Sequence, residues 1–149
     1  MLMFSTGLRA GQAVTGSLKA LLDGGSIKIY SGPIPANADA ALSGNTVLVE
    51  VRQKTSGDGL NFEATAPNAV LVKSLSEIWE SDVVNSGDAT FFRYVKAADT
   101  GNASTTEIRI QGTCGLAGAD MPMSSTSLVA GAPHRIDYCN IALPASIAG

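Results

Sequence analysis

Few residues of this 149-residue chain carry side chains that could do chemistry. His134 is the sole histidine and directly follows Pro133. A catalytic base or metal ligand there would need a His/Cys/Asp cluster at ligand spacing, and none surrounds it. His134 therefore reads as a surface histidine at the start of a strand. Glu77 and Glu80 flank Trp79, and paired acids beside an aromatic ring are what a sugar-cleaving site would use. On a strand, residues 77 and 79 share one face while residue 80 takes the other, so the two acids diverge. Asp58, Asp88 and Asp99 lie in turns, where carboxylates bond backbone N–H groups. A calcium loop needs acids at alternate positions, a spacing none of them shows. Cys114 and Cys139 do not make a disulfide framework and read as free thiols packed as small hydrophobes. A bridge between them would require Cα atoms within about 7 Å.

The motifs that concentrate chemistry in a short stretch are missing. GxSxG, GxxxxGK(S/T) and HExxH do not occur. Asp23-Gly24-Gly25 looks at first like a phosphate loop, but it precedes a strand-like run. A phosphate loop follows a strand and opens a helix whose N–H groups face the anion. The double glycine therefore reads as a helix stop. Trp79, Tyr30, Phe92, Tyr94 and Tyr138 form either a flat ligand platform or a core, in a chain with eight aromatic residues. No catalytic, cofactor-binding or metal-binding residue is assigned, and no enzyme activity is expected.

The elements that would position any site are mostly strands. Ser5 or Thr6 can cap one helix, in which Leu8, Val14, Leu18, Leu21 and Leu22 recur at roughly helical spacing. Gly7, Gly11 and Gly16 weaken its first half, so the helix is expected over about residues 13 to 23, ended by Gly24. After Gly25 the period becomes two. Ile27 and Ile29 alternate with Lys28 and Tyr30; Val47, Val49 and Val51 alternate with Leu48, Glu50 and Arg52. Further strand candidates are residues 60–64, 69–73, 76–84, 89–97, 106–113, 127–130 and 134–143, separated by turn-forming residues. Eight or nine short strands near ten-residue spacing point to a single all-β domain over 1–149, an antiparallel sandwich of jelly-roll type. The loops at 33–45 and 114–125 are long, as contact surfaces often are.

Composition narrows the partners. Charged residues make up 15% of the chain, against about 25% in an average soluble domain, and Ala, Gly, Ser and Thr supply 63 of the 149 residues. Such a surface lacks the long charged side chains that keep solitary proteins apart, so neighbours covering part of it would fit. A net charge of -3, with basic residues spread singly, argues against nucleic acid. No run approaches the length of a membrane span, and the N-terminus lacks the apolar core of a secretory signal, so use without export is expected.

The stretches "FSTGLR" (4–9), "LDGGSIKIYSGPIPANADAAL" (22–42), "EIWESDVVNSGDATFFRYV" (77–95), "STTEIRIQGT" (104–113) and "IDYCNIALP" (136–144) together resemble small structural proteins of tailed bacteriophages. The nearest functional group is the capsid decoration, or cement, proteins. That resemblance implies a β-rich fold and a place on the outside of the icosahedral capsid. It implies the major capsid protein as partner and self-association as a dimer or trimer. A tail or head–tail joining role is the neighbouring alternative, and a carbohydrate-binding module is the alternative from another class. The expected contact segments are apolar. They are an N-terminal arm over 1–7 with Met1, Leu2, Met3 and Phe4, the loop with Pro33 and Pro35, and the loop with Met121, Pro122 and Met123. For each, packing on its own domain is the competing expectation.

Overall fold

A computed structural model describes residues 2–143. In chain order the elements are β1 (Met3–Phe4), α1 (Thr6–Val14), α2 (Leu18–Leu22), β2 (Ser26–Ser31), β3 (Thr46–Val51), β4 (Val70–Val72) and β5 (Trp79–Asp82). They continue with β6 (Gly87–Asp88), β7 (Phe91–Val95), β8 (Arg109–Gly115), β9 (Met121–Pro122), β10 (Ser127–Leu128), β11 (Pro133–Ile136) and β12 (Asn140–Ala142). The protein is thus mostly β with an N-terminal helical segment, as expected. No helix among the described residues is long and apolar enough to cross a membrane.

The main sheet runs β1-β8-β7-β2-β3, all antiparallel, and β9 adds in parallel to β8 beyond β1. Three two-stranded antiparallel ribbons complete the described strands: β5 with β11, β4 with β12, and β6 with β10. Their apolar residues, among them Leu71, Trp79, Leu128, Ile136 and Ile141, join one core with Ile27, Ile29, Phe92, Tyr94 and Ile110 of the main sheet.

The helix differs from the sequence expectation. Two helices stand where one was expected, and the first half is the longer. Ser5 Oγ accepts the Leu8 N–H at 3.1 Å and donates to Glu107 O at 2.8 Å, so one hydroxyl both caps α1 and fastens it to the chain before β8. Asp39 takes the Thr6 N–H and hydroxyl at 2.8 and 2.6 Å. The glycines that weaken α1 in isolation are what let it dock. A Cβ on Gly7 would lie 2.4 Å from Thr106 O, and one on Gly11 would press on Leu21 at 3.0 Å. Packing outweighs a propensity cost of about 1 kcal/mol per glycine. Ser17 starts α2 afresh by accepting the Ala20 N–H.

The double glycine stops a helix, as its order in the chain predicts. Gly24 has φ of 84° just past α2, a backbone that residues with a Cβ rarely adopt. Gly25 fits closely: a Cβ there would lie 2.5 Å from the Tyr94 ring. Leu60 is bonded on both sides, its carbonyl accepting Gly24 N–H and its N–H donating to Gly25 O, each at 2.8 Å.

Alternation breaks at one point. Tyr30 pairs with Val47 while Ile29 pairs with Val49, leaving Leu48 as the extra residue of a β-bulge. Leu48 and Val49 are consequently both buried. Other boundaries shift as well. Residues 60–64 make only isolated bridges, at Leu60 and Phe62, and 134–143 divides into β11 and β12 around residues 137–139.

The alternation of β7 and β8 does not separate a dry face from a wet one. Phe92 and Tyr94 face the apolar core, whereas Arg93, Arg109 and Gln111 lie buried on the other side. The loop 33–45 covers them. Arg93 Nη2 donates to Ala40 O, Arg109 Nη1 to Ala38 O and Gln111 Nε2 to Pro35 O, at 2.7, 3.1 and 2.9 Å. Arg109 also grips Asp99 with two bonds, Nε to Oδ2 at 2.6 Å and Nη2 to Oδ1 at 2.8 Å. Burial alone would raise the Asp99 pKa, but the Arg109 bonds and the Gly101 N–H hold its carboxyl below the usual range.

Candidate functional site

Residues that could do chemistry are placed apart. His134 lies on β11 opposite Ser81 and is half-buried, which lowers its pKa. No group of three His, Cys, Asp or Glu side chains suited to a metal occurs among the described residues. Glu77 and Glu80 bind different partners, but strand alternation is not the reason, because β5 starts at Trp79 and Glu77 lies before it. Glu77 Oε1 accepts the Trp79 indole N–H and the Asn61 N–H, each at 2.9 Å. Glu80 instead pairs with Lys54 at 2.5 Å. The aromatic platform is not at the surface: Trp79, Tyr30, Phe92 and Tyr94 are buried, and only Tyr138 of the five is exposed.

Both cysteines are free and half-buried against the core. Burial pushes the Cys114 thiol up to about 12 and the Cys139 thiol up to about 11. The thiolate is the reactive form, so at pH 8 folded protein should react with a thiol-exchange reagent more than about a hundredfold slower than a free cysteine. Both thiols should react fully in guanidinium. A fast native phase, followed by the absorbance of the released thiol, would contradict this burial.

What the fold does bring together is apolar. β1 and β9 both lie on the outer edge of β8, at Ile110–Gln111 and at Cys114–Gly115. Asp120 shapes the turn between β8 and β9, its Oδ2 accepting the Thr113 N–H at 2.9 Å, and the Met123 N–H bonds Gly115 O at 2.8 Å. Beside this edge opens a cavity of about 750 Å³. Phe92 and Ile110 of the main sheet line one part, and Leu2, Met121, Pro122 and Met123 are at its border. Ile136 and Cys139 line the ribbon side. Ligand pockets of this size are usually lined by apolar side chains with a few polar groups, the pattern seen here.

The expected contact residues therefore divide. Leu2, Met121, Pro122 and Met123 meet at one edge, next to Met3 and Phe4 in β1; Met1 lies outside the described residues. Residues 3–7 are not a loose arm: Met3 and Phe4 pair with β8, and Thr6 and Gly7 belong to α1. Pro33 and Pro35 lie elsewhere, on the loop over the arginine face, where Pro33 O accepts Asn45 Nδ2 at 2.8 Å and Pro35 O accepts Gln111 Nε2. That loop packs on its own domain. Sequence reasoning missed the arginine face entirely, although three polar residues, Arg93, Arg109 and Gln111, in segments of strong strand character were a visible signal.

No family model, no curated protein and no solved structure matches this chain.

Proposed function

We propose that this chain is a structural protein of a tailed-phage particle that binds the outside of the capsid, with the major capsid protein as partner and a dimer or trimer as its working form. The observation that supports this most is the convergence of two apolar contact segments, residues 2–4 and 121–123, on one sheet edge beside a large apolar cavity. An edge strand offers unpaired backbone groups to an incoming strand, and the adjoining cavity offers room for its side chains. The resemblance of five stretches to phage structural proteins supplies the partner class. The same reading takes the ribbons β5–β11, β4–β12 and β6–β10 as the second layer of a jelly-roll-like sandwich. Binding in two or three places at once raises effective concentration without new contacts per site.

The test uses heads assembled without this protein, mixed with purified chain and sedimented. The chain should pellet with expanded heads and saturate at a copy number set by lattice symmetry. Leu2→Glu and Pro122→Glu, both at exposed positions, should each weaken binding about tenfold or more with an unchanged circular dichroism spectrum. Deleting residues 1 to 7 is not a clean probe, because Ser5 holds α1 to Glu107. Failure to bind heads at any concentration would remove the reading; binding to tails would move it to the joining role.

A further inference from the structure

Among the described residues, β11 pairs with β5 alone, so one of its edges is open. The phase of the ladder decides which groups face that edge. Val83 N–H bonds Ala132 O at 2.9 Å, which sets residues 132, 134 and 136 toward β5. On β5 the Glu80 N–H turns the other way, to Arg52 O just past β3 at 3.1 Å. Its register partner Arg135 therefore points its N–H and carbonyl outward, and neither has a backbone partner among the described residues. Alternation gives Pro133 and Asp137 the same outward phase.

The edge is also accessible. Pro133, Arg135, Asp137 and Tyr138 are exposed. Two large apolar side chains beside it face water: Tyr138 is 86% and Val129 61% exposed, and both border the same opening as β11. An unpaired strand edge with uncovered apolar neighbours is a surface made for pairing.

Charge order along the edge selects the partner. Arg135 Nε bonds Asp137 Oδ1 at 2.7 Å, so the two side chains share one face. Glu80 stands opposite Arg135 on β5 but is held by Lys54 at 2.5 Å. The edge thus presents one cation and one anion, two residues apart. Two such edges can meet antiparallel about a two-fold axis. Centred on Arg135, that pairing sets like charges opposite each other, which is destabilising. Centred on His134, it sets Arg135 against Pro133, which has no N–H to give. Centred on Ile136, it sets each Arg135 against Asp137 of the other copy, with outward backbone groups facing outward backbone groups.

We propose that β11 is the self-association edge of this protein, two copies pairing antiparallel about a two-fold axis at Ile136. Each Arg135 then lies opposite Asp137 of the second copy, and β5–β11 becomes half of a sheet that runs through the dimer. The edge is complementary to itself, as a two-fold interface must be. This deepens the self-association in the reading above and rests on that part of it alone, not on the capsid.

Sedimentation velocity of the full chain without heads, from about 1 µM to about 1 mM, reads the association. Monomer should give way to dimer as concentration rises, and hydrogen exchange at the Arg135 amide should slow in step. Arg135→Pro removes an N–H with no partner inside the chain, so it should keep the parent circular dichroism spectrum and abolish the dimer. Asp137→Arg sets cations opposite each other and should weaken the dimer about tenfold or more. Adding Arg135→Asp to it restores opposite signs and should restore the dimer. A monomer throughout the range would overturn the proposal. So would a trimer, a dimer of full strength in Arg135→Pro, or charge reversals without effect. A chain that pairs in this way but does not bind heads keeps this proposal and loses only the capsid reading.

Discussion

Asp99→Asn is expected to remove about 3–5 kcal/mol of stability, the usual cost of deleting one partner from a buried ion pair. Asp99 and Arg109 side chains are each only 1% exposed, so solvent does not screen the loss. Arg109 would remain among neutral carbonyls with Arg93 as its charged neighbour. For a domain of this size the melting temperature should fall by roughly 10 °C or more. The pH dependence follows in sign. The Asp99 pKa is depressed in the folded state, so its contribution is complete above the unfolded value near ~3.9 and is lost as pH falls through the folded value. Asp39, Glu50 and Asp120 are depressed too, so the parent should lose stability steeply in acid and the variant less steeply. Urea melts by far-ultraviolet circular dichroism at pH 7 and pH 3.5 measure both effects. Replacing the pair together, Asp99→Leu with Arg109→Met, should recover much of the loss, because the cost lies in the orphaned charge. A loss below about 1 kcal/mol for Asp99→Asn would mean that water reaches the pair.

Trp79→Ala should cost about 3–5 kcal/mol through the cavity it leaves. The ring is fully buried, meets Phe62 edge-on at 5.5 Å and 89°, and has the Lys73 ammonium 5.5 Å from its centroid. Its N–H bond to Glu77 ties β5 to the Asn61 segment, because Glu77 also accepts the Asn61 N–H and side-chain amide. Trp79→Phe keeps most of the packing and should cost clearly less. As the only tryptophan, residue 79 reports on itself. Native emission should be blue-shifted and resist iodide quenching, shifting red only on unfolding. Solvent-like emission from the folded protein would contradict the burial. Sugars should leave the signal unchanged, since the ring offers no exposed face.

Both experiments concern residues that looked chemical in the sequence and work in the fold as fasteners. Glu77 beside Trp79 has the composition of a sugar site, yet the carboxylate closes a loop and the ring fills the core. Asp99 sits in an Asp-Thr-Gly turn, and its short-range role there, accepting the Gly101 N–H at 2.8 Å, was legible. Its long-range role on Arg109 was not.

Local order along the chain determined the β class, the end of the helical segment at Gly24, and the scarcity of groups able to react. These depend on a two-residue period, on backbone freedom at one glycine and on neighbour spacing, all set within a few residues. Tertiary structure alone decided that Gly7 and Gly11 let α1 dock, that Leu48 bulges, and that Arg93 and Arg109 lie under the loop 33–45. It also decided that Leu2 and Met123 meet at one edge. The reason is physical: an alternating strand announces that its two faces differ, but what covers each face comes from segments 50 to more than 100 residues away, as Arg93 to Ala40 and Ser5 to Glu107 show. Burial, and with it the cost of an unpaired charge, is a property of those distant contacts.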